Sequence, residues 1–384
     1  MSRRIVILTE IIAPYRIPVF NALADHDDID LHVIFLAETD PTQRQWLVHK
    51  EDIRFSYEVL PSLRKRLRGQ NFLLNWGVSD ALKNAASDAI LCGGYNYLAS
   101  WASLRWAERN DIPFYLWVES TAKNFRSGDR WTESLKVRFM DRCTGFVVPG
   151  SAAARYIEGY GIPSHKIFTA PNAVDNDFFG QRSASVRQRV RFHRFDLGLP
   201  SRYFLCTGRL VKEKGIFDLL DAYGMLPTAL KREVGLVYVG DGPARAELAL
   251  KIKTEDLAAS VVLAGFAQRD RLAQYYALAD ALVFPTHADA WGLVVNEAMA
   301  CGLPVICSDA AGCAADLVAA CGNGFIVPAR GVAQLSAVMA ELARANDLRL
   351  CMGRRSREHI RNFSPGLCAM GIANAILAAE VCAA

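Results

Sequence analysis

Ten short, nearly unbroken apolar runs recur along this chain, five in each half, and most are separated from the next by a stretch of helical periodicity. In the first half they are residues 5–8, 31–35, 89–92, 114–118 and 145–148. In the second they are residues 203–207, 234–239, 261–264, 281–284 and 305–307. A strand with one wet face alternates apolar and polar side chains, whereas a strand apolar at successive positions is covered on both faces. Runs of that kind interleaved with helices specify a parallel sheet with helices on either side. Two such sets predict an α/β chain of two doubly wound, Rossmann-like domains, and 384 residues is more than one core usually supports. Residues 1–175 form the first expected domain and 201–363 the second, with a final segment at 364–384. Residues 176–200 lose the strand pattern and carry Arg182, Arg187, Arg189, Arg191 and Arg194 ahead of Gly198-Leu199-Pro200; they are the expected linker. Open parallel sheets bind ligands at the carboxyl ends of their strands, so the two domains are expected to face each other across a cleft.

Composition narrows the class. With 52% hydrophobic and 22% charged residues the chain is globular rather than disordered. A formal net charge of +4 is too mild to indicate a nucleic-acid partner, and no binding motif accompanies the arginines of the linker. No apolar run approaches the roughly 18 residues of a membrane span, and the N-terminal run is too short for a signal peptide. Ten cysteines show no C-x-x-C spacing, and Cys92, Cys206 and Cys307 sit in strand-like runs where a thiol acts as a small hydrophobe. A cytoplasmic, reducing location is expected.

The chemistry concentrates in "HADAWGLVVNEAMACGLPVI", residues 287–306. A strand ends at Pro285, and a helix is expected from Leu293 until Gly302 and Pro304 stop it. Gly292 then stands at the helix start, where unpaired backbone N–H groups of residues such as Leu293 and Val294 and the positive end of the dipole favour an anion. Asp289 lies on the loop before it, with Trp291 between, and Glu297 lies one turn inside. A phosphate held between two hydroxyl-binding carboxylates suits a phosphorylated sugar; an ordinary βαβ turn with a solvated Glu would look the same in isolation. The strand at 203–207 is followed by "GRLVKEKG", which places Gly208, Arg209 and Lys214 at a strand mouth, where two cations can stabilise the charge of a departing diphosphate. Gly240 opens "GDGP", first of all a tight turn. Gly265-Phe266 ends another strand, where backbone groups can read a base edge.

Taken in order, "GRLVKEKG", "VGDGPARAEL", "LAGFAQRDRLAQYYALADALVFPT", "DAWGLVVNEAMACGLPVI" and "GNGFIVP" resemble the donor-binding half of a GT-B glycosyltransferase. The likeness is greatest to the retaining glycosyltransferases of family 4. "APYRIPVFNALA" and "PNAVDNDFF" in the first half are also similar to that family. The resemblance implies transfer of a sugar from a nucleoside-diphosphate sugar, expected to be a UDP-sugar, to an acceptor hydroxyl with retention and without a bound metal or further cofactor. It implies that Asp289 and Glu297 fill a Glu-x7-Glu motif, the first acid on the sugar hydroxyls and the second on the ribose. The N–H groups after Gly292, with Arg209 and Lys214, would hold the diphosphate, and Phe266 would lie by the base. It also implies that the last segment, after the Asn362-Phe363-Ser364-Pro365 break, crosses back to the first domain. Two positions depart from the pattern. The first acid is Asp, one methylene short, and the His that many relatives carry after the strand at 114–118 is replaced by Val118-Glu119-Ser120-Thr121, which leaves Glu119 as the candidate polar group there.

For the acceptor, a saccharide, a lipid-linked molecule or a small molecule, Tyr15 and Arg16 in the loop after the first strand are the candidates. Arg64-Lys65-Arg66-Leu67-Arg68 followed by "GQNFLLNWGV" fits either a solvated loop before a buried helix or a peripheral contact with the inner face of an anionic membrane. Two rival readings share the architecture: a nucleotide-sugar epimerase, and a catalytically silent subunit that only binds the nucleotide sugar.

Overall fold

The computed structural model describes residues 2–40, 45–67, 70–124 and 130–378. The chain divides into two compact units, Met1–Val174 with Pro365–Ala384, and Asp175–Ser364.

Among the described residues the first unit has nine strands: β1 (Arg3–Thr9), β2 (Ile29–Phe35), β3 (Ser56–Val59), β4 (Ser62–Leu67), β5 (Gln70–Asn75), β6 (Ala89–Cys92), β7 (Phe114–Trp117), β8 (Gly145–Val148) and β9 (Ile167–Thr169). Seven form one parallel sheet in the order β3-β2-β1-β6-β7-β8-β9. Residues 5–8 of β1 and all of β6 and β7 are apolar because both faces are covered. Val6 and Leu8 enter one core with Ile34, Ile90 and Phe146, and Ile5 and Ile7 enter another with Val33, Leu91 and Val147. Residue parity along a strand alone decides which core a side chain joins. The second core is closed by the helices Ile17–Ala24 and Pro365–Leu377, the latter contributing Cys368, Ile372 and Ile376. The C-terminal segment thus belongs to the first unit, with the Arg3 guanidinium donating to the Ile376 carbonyl at 2.7 Å.

The second unit has β10 (Tyr203–Thr207), β11 (Gly235–Val239), β12 (Val261–Gly265), β13 (Ala281–Phe284), β14 (Val305–Ser308) and β15 (Gly324–Val327), all parallel, in the order β12-β11-β10-β13-β14-β15. Strand order reverses at β10, whose neighbours are β11 on one side and β13 on the other. That reversal is where a crevice opens at the carboxyl ends of a doubly wound sheet.

Two segments differ from the sequence reading. Residues 176–200 are largely helical, with helices Asn176–Arg187 and Val190–Leu197 inside the second unit. Asp175 caps the first by accepting from the Phe178 N–H at 2.9 Å. Phe179 and Val186 fall on its buried face, a helical period without strand alternation. Arg187 donates to the carbonyls of Ala277 at 3.0 Å and Cys301 at 2.7 Å, at the C-terminal ends of two other helices, where a cation is favoured. The second difference is at "GQNFLLNWGV", where the helix expected after the basic cluster is replaced by β5, paired antiparallel with β4. Phe72, Leu73 and Leu74 alternate exposed, buried, exposed, the period of a strand. Arg68 of the cluster lies outside the described residues. Among the described residues no helix is long and apolar enough to cross a membrane.

Candidate active site

Four strands of the second unit end side by side, and the chain's Gly-rich turns lie at those ends. The Gly208 N–H donates to the Val239 carbonyl at 3.0 Å and the Gly240 N–H to the Gly265 carbonyl at 2.8 Å. The backbones approach so closely that a Cβ on Gly240 would lie 1.9 Å from the Gly208 carbonyl oxygen, and Gly240 has φ +148°. The Gly-Asp-Gly-Pro turn is therefore a packing requirement at the mouth of β10 and β11.

On the other side of β10, the segment after β13 carries the two acids. The helix Leu293–Ala300 begins as expected, with Gly292 at its N-cap in the left-handed region, φ +102°. A Cβ there would meet the Phe284 ring at 2.5 Å, so both conformation and space demand glycine. The first N–H groups of this helix, those of Leu293 and Val294 among them, have no intrahelical carbonyl to bind, and both residues are partly exposed. Trp291 is buried, its indole N–H donating to the Asn296 side chain at 2.8 Å. Its role is to brace the turn rather than to present its own polar group to a ligand.

Asp289 and Lys214 form an ion pair across the β10 and β13 loops, and Asp289 Oδ1 also accepts from the Trp291 N–H at 3.2 Å. Both carboxylate oxygens are engaged at the start of the anion-favouring turn. Arg209 is exposed one residue beyond Gly208. Phe266 directly follows β12 and is exposed.

Glu297 sits one turn inside the helix, only partly exposed. Tyr276, fully buried, donates to its Oε2 at 2.6 Å, and Thr207 at the end of β10 meets the Tyr276 hydroxyl at 2.9 Å. Burial pushes the Glu297 carboxyl up to about 7, against the opposing pull of the Tyr276 hydroxyl and the Arg269 charge. Arg269 is itself held 2.7 Å from Asp175 and stacks on the Phe178 ring at 3.6 Å. Tyr276, Thr207 and Arg269 were not among the residues singled out from sequence. Tyr276 lies in the helix Arg269–Leu278, where it and its neighbour Tyr275 are both buried and nothing in the sequence marks one tyrosine above the other.

In the first unit, Tyr15 and Arg16 follow β1 and Glu119 follows β7. Arg16 pairs with Glu119 and lies over the Trp117 ring at 3.9 Å and the Tyr15 ring at 5.6 Å. Asn172, from "PNAVDNDFF", donates to the same Glu119 oxygen at 3.2 Å. The candidate polar groups of this unit, read separately from sequence, form one cluster. Trp117 Nε1 is buried there without a hydrogen-bond partner.

Comparison with known proteins follows these two units. Residues 190–359 match the family model for glycosyl transferases group 1, and residues 20–178 match that for glycosyltransferase family 4. D-inositol 3-phosphate glycosyltransferase of Corynebacterium jeikeium is 30% identical over 218 residues, 54% of this chain and 51% of that protein. Among solved structures, Anabaena HepE in complex with UDP and glucose superposes with a TM-score of 0.76 at 18% identity, over 98% of this chain and 100% of that one. Sucrose-phosphate synthase from Thermosynechococcus elongatus gives 0.74 at 19% identity, over 99% and 100%. These two likenesses establish the fold. The chain spans between about a third and a half of the length of the curated relatives it matches.

Proposed function

We propose that this chain, which belongs in both of its units to the GT-B glycosyltransferases, transfers a hexose from a nucleoside-diphosphate sugar to an acceptor hydroxyl with retention at the anomeric carbon. One observation carries the reading. At the strand-order reversal of the second unit, the N-terminus of helix Leu293–Ala300 is flanked by the Lys214–Asp289 pair and by Glu297. A diphosphate fits the helix terminus and the two cations Lys214 and Arg209. A ribose fits Glu297, whose carboxylate accepts from hydroxyls, and the sugar fits the Asp289 side.

In the proposed reaction the bond between the anomeric carbon and the phosphate oxygen breaks while the acceptor oxygen bonds to the same face of the sugar. The departing phosphate takes the acceptor proton. No protein nucleophile is required. The charge that grows on the leaving diphosphate is met by Lys214, Arg209 and the helix N–H groups, so the protein itself supplies the stabilisation that a metal gives elsewhere. A UDP-sugar is the proposed donor, with a saccharide, lipid-linked molecule or small molecule as acceptor near Arg16 and Tyr15. The nine cysteines of the described residues are free thiols, which suits a cytoplasmic location.

The test is nucleotide release. Purified protein given UDP-, GDP- and ADP-sugars should liberate free nucleoside diphosphate with one series only, and only when an acceptor is added. Conversion of the nucleotide sugar to its epimer without acceptor and without net nucleotide release would identify an epimerase. Binding without turnover under any acceptor would identify a silent nucleotide-sugar subunit.

A further inference from the structure

The β4–β5 ribbon has two faces, fixed by its pairing register. Arg64 lies opposite Leu73, and both turn inward: Leu73 is buried in the core of the first unit, while Arg64 is held by Asp40 at 2.9 Å and by Glu10 at 3.3 Å. Leu63 opposite Leu74, and Lys65 opposite Phe72, make up the other face. An antiparallel ribbon covered on one side is expected to carry polar side chains on the other. Here Leu63 is 42% exposed, Phe72 47% and Leu74 41%, and Trp76, immediately after β5, is 55% exposed.

The charge beside this apolar face has one sign. From residue 62 to residue 79 the sequence contains Arg64, Lys65, Arg66 and Arg68 and no acid, a charge equal to the +4 of the whole chain. Arg64 is neutralised inward, and Lys65, opposite Phe72, is exposed on the apolar face.

Four apolar side chains are too few for a stable protein contact, which covers about 800 Å² and 20–30 residues on each partner. They are enough for an interfacial anchor, in which aromatic and aliphatic groups enter the headgroup region and basic groups meet lipid phosphates. We propose that the β4–β5 ribbon is a membrane-docking device that seats Leu63, Phe72, Leu74 and Trp76 in the surface of an anionic bilayer, with Lys65 on its phosphates. The docking does not depend on the transfer reaction. It is peripheral, and it would bring the first unit, with Arg16 and Glu119, to a surface from which a lipid-linked acceptor is presented.

The test is co-sedimentation of the full chain with phosphatidylglycerol-rich vesicles and with phosphatidylcholine vesicles. The protein should pellet with the anionic vesicles and be released by high salt. The double variant Phe72→Ser with Trp76→Ser should bind at least about ten-fold more weakly, from the apolar area lost. Lys65→Gln should cost about five-fold, the worth of one basic residue at an anionic surface. All three side chains are exposed, and an unchanged thermal midpoint verifies that the fold survives. Phe192→Ser with Phe195→Ser, on the helix Val190–Leu197 of the second unit, removes side chains that are 63% and 90% exposed and should leave binding unchanged. Binding that persists in the Phe72/Trp76 variant, or that the Phe192/Phe195 variant abolishes instead, overturns the assignment to the ribbon. Absence of pelleting with anionic vesicles at low salt overturns membrane docking and leaves the face to an acidic protein partner.

Discussion

Lys214 and Asp289 hold each other across two adjacent strand ends, the ammonium on Asp289 Oδ2 while Oδ1 takes the Trp291 N–H at 3.2 Å. The pair spans the reversal between β10 and β13, so one acid fixes both the Lys214 ammonium and the turn that starts the helix Leu293–Ala300. A Glu at position 289 would carry its carboxylate farther from the backbone amide it now accepts from. The Asp is therefore suited to organising the turn.

Removal of the cation separates these roles. Lys214→Ala should lower turnover by about 10²–10³-fold, the usual effect of losing one group aimed at developing charge. The thermal midpoint should move little, because a partly exposed ion pair contributes about 1 kcal/mol or less. Initial rates of nucleotide release and a melting curve on the same preparation check both; near-normal transfer would remove Lys214 from the proposed chemistry.

Asp289→Glu should alter the preference among donor sugars more than it lowers the affinity for free UDP. The comparison is of kcat/KM across a panel of UDP-sugars, with UDP binding measured calorimetrically. A large fall in UDP affinity would mean that Asp289 acts mainly by holding the diphosphate turn together.

The raised Glu297 carboxyl has a signed consequence. Its folded value is about 7 against an ordinary 4.5, so the stability it permits is full below about 4.5 and declines as pH rises through 7. The loss amounts to about 3 kcal/mol. Donor binding should run the other way, since ribose hydroxyls donate to the ionised form: affinity should increase as pH rises through 7, and binding below 7 should release a proton. Glu297→Gln should flatten both profiles. Melting midpoints from pH 5 to pH 9, and calorimetric titrations in buffers of different ionisation enthalpy, would reveal either failure.

Much of this was legible in the sequence because the central strands are buried on both faces. Residues 89–92, 145–148, 203–207 and 281–284 read as apolar runs and are β6, β8, β10 and β13. The strands that escaped notice are mainly edges: β3 and β9 end one sheet and β15 ends the other. Their exposed or half-buried positions interrupt the apolar run. At the strand ends, Gly240, Gly292 and Asp289 were legible since each answers a local demand of a turn or helix start. Tyr276 was not, because its partner Glu297 lies 21 residues away and only the folded sheet brings them together. The pairing of Arg16 with Glu119, 103 residues apart, was hidden for the same reason.

Gly292→Ala tests the turn directly. The left-handed backbone at φ +102° and the Phe284 ring 2.5 Å from the added Cβ both oppose the change. Strain of this kind costs about 1–3 kcal/mol, and relief by moving the ring would shift the end of β13. The variant should melt lower and lose donor binding together, whereas Lys214→Ala should keep its midpoint. Retained UDP affinity in a destabilised Gly292→Ala protein would place the diphosphate away from this helix terminus.

Arg16 offers the complementary test in the first unit. It is tied to Glu119, stacked on Trp117, and shares Glu119 with Asn172, so its charge is balanced and its plane fixed before any ligand arrives. A group held in that way is preorganised to donate hydrogen bonds to a neutral, hydroxyl-rich molecule, since Glu119 already offsets the charge an anion would seek. Arg16→Ala should therefore raise KM for acceptor by about ten-fold, near the loss of a charge-assisted hydrogen bond, with the UDP-induced thermal shift unchanged. Glu119→Gln should loosen Arg16 without deleting it and give a smaller rise in the same parameter, because the amide oxygen can still accept from the guanidinium. A change in donor affinity with constant acceptor KM would assign the cluster to the nucleotide sugar and leave the acceptor site to be found elsewhere on the chain.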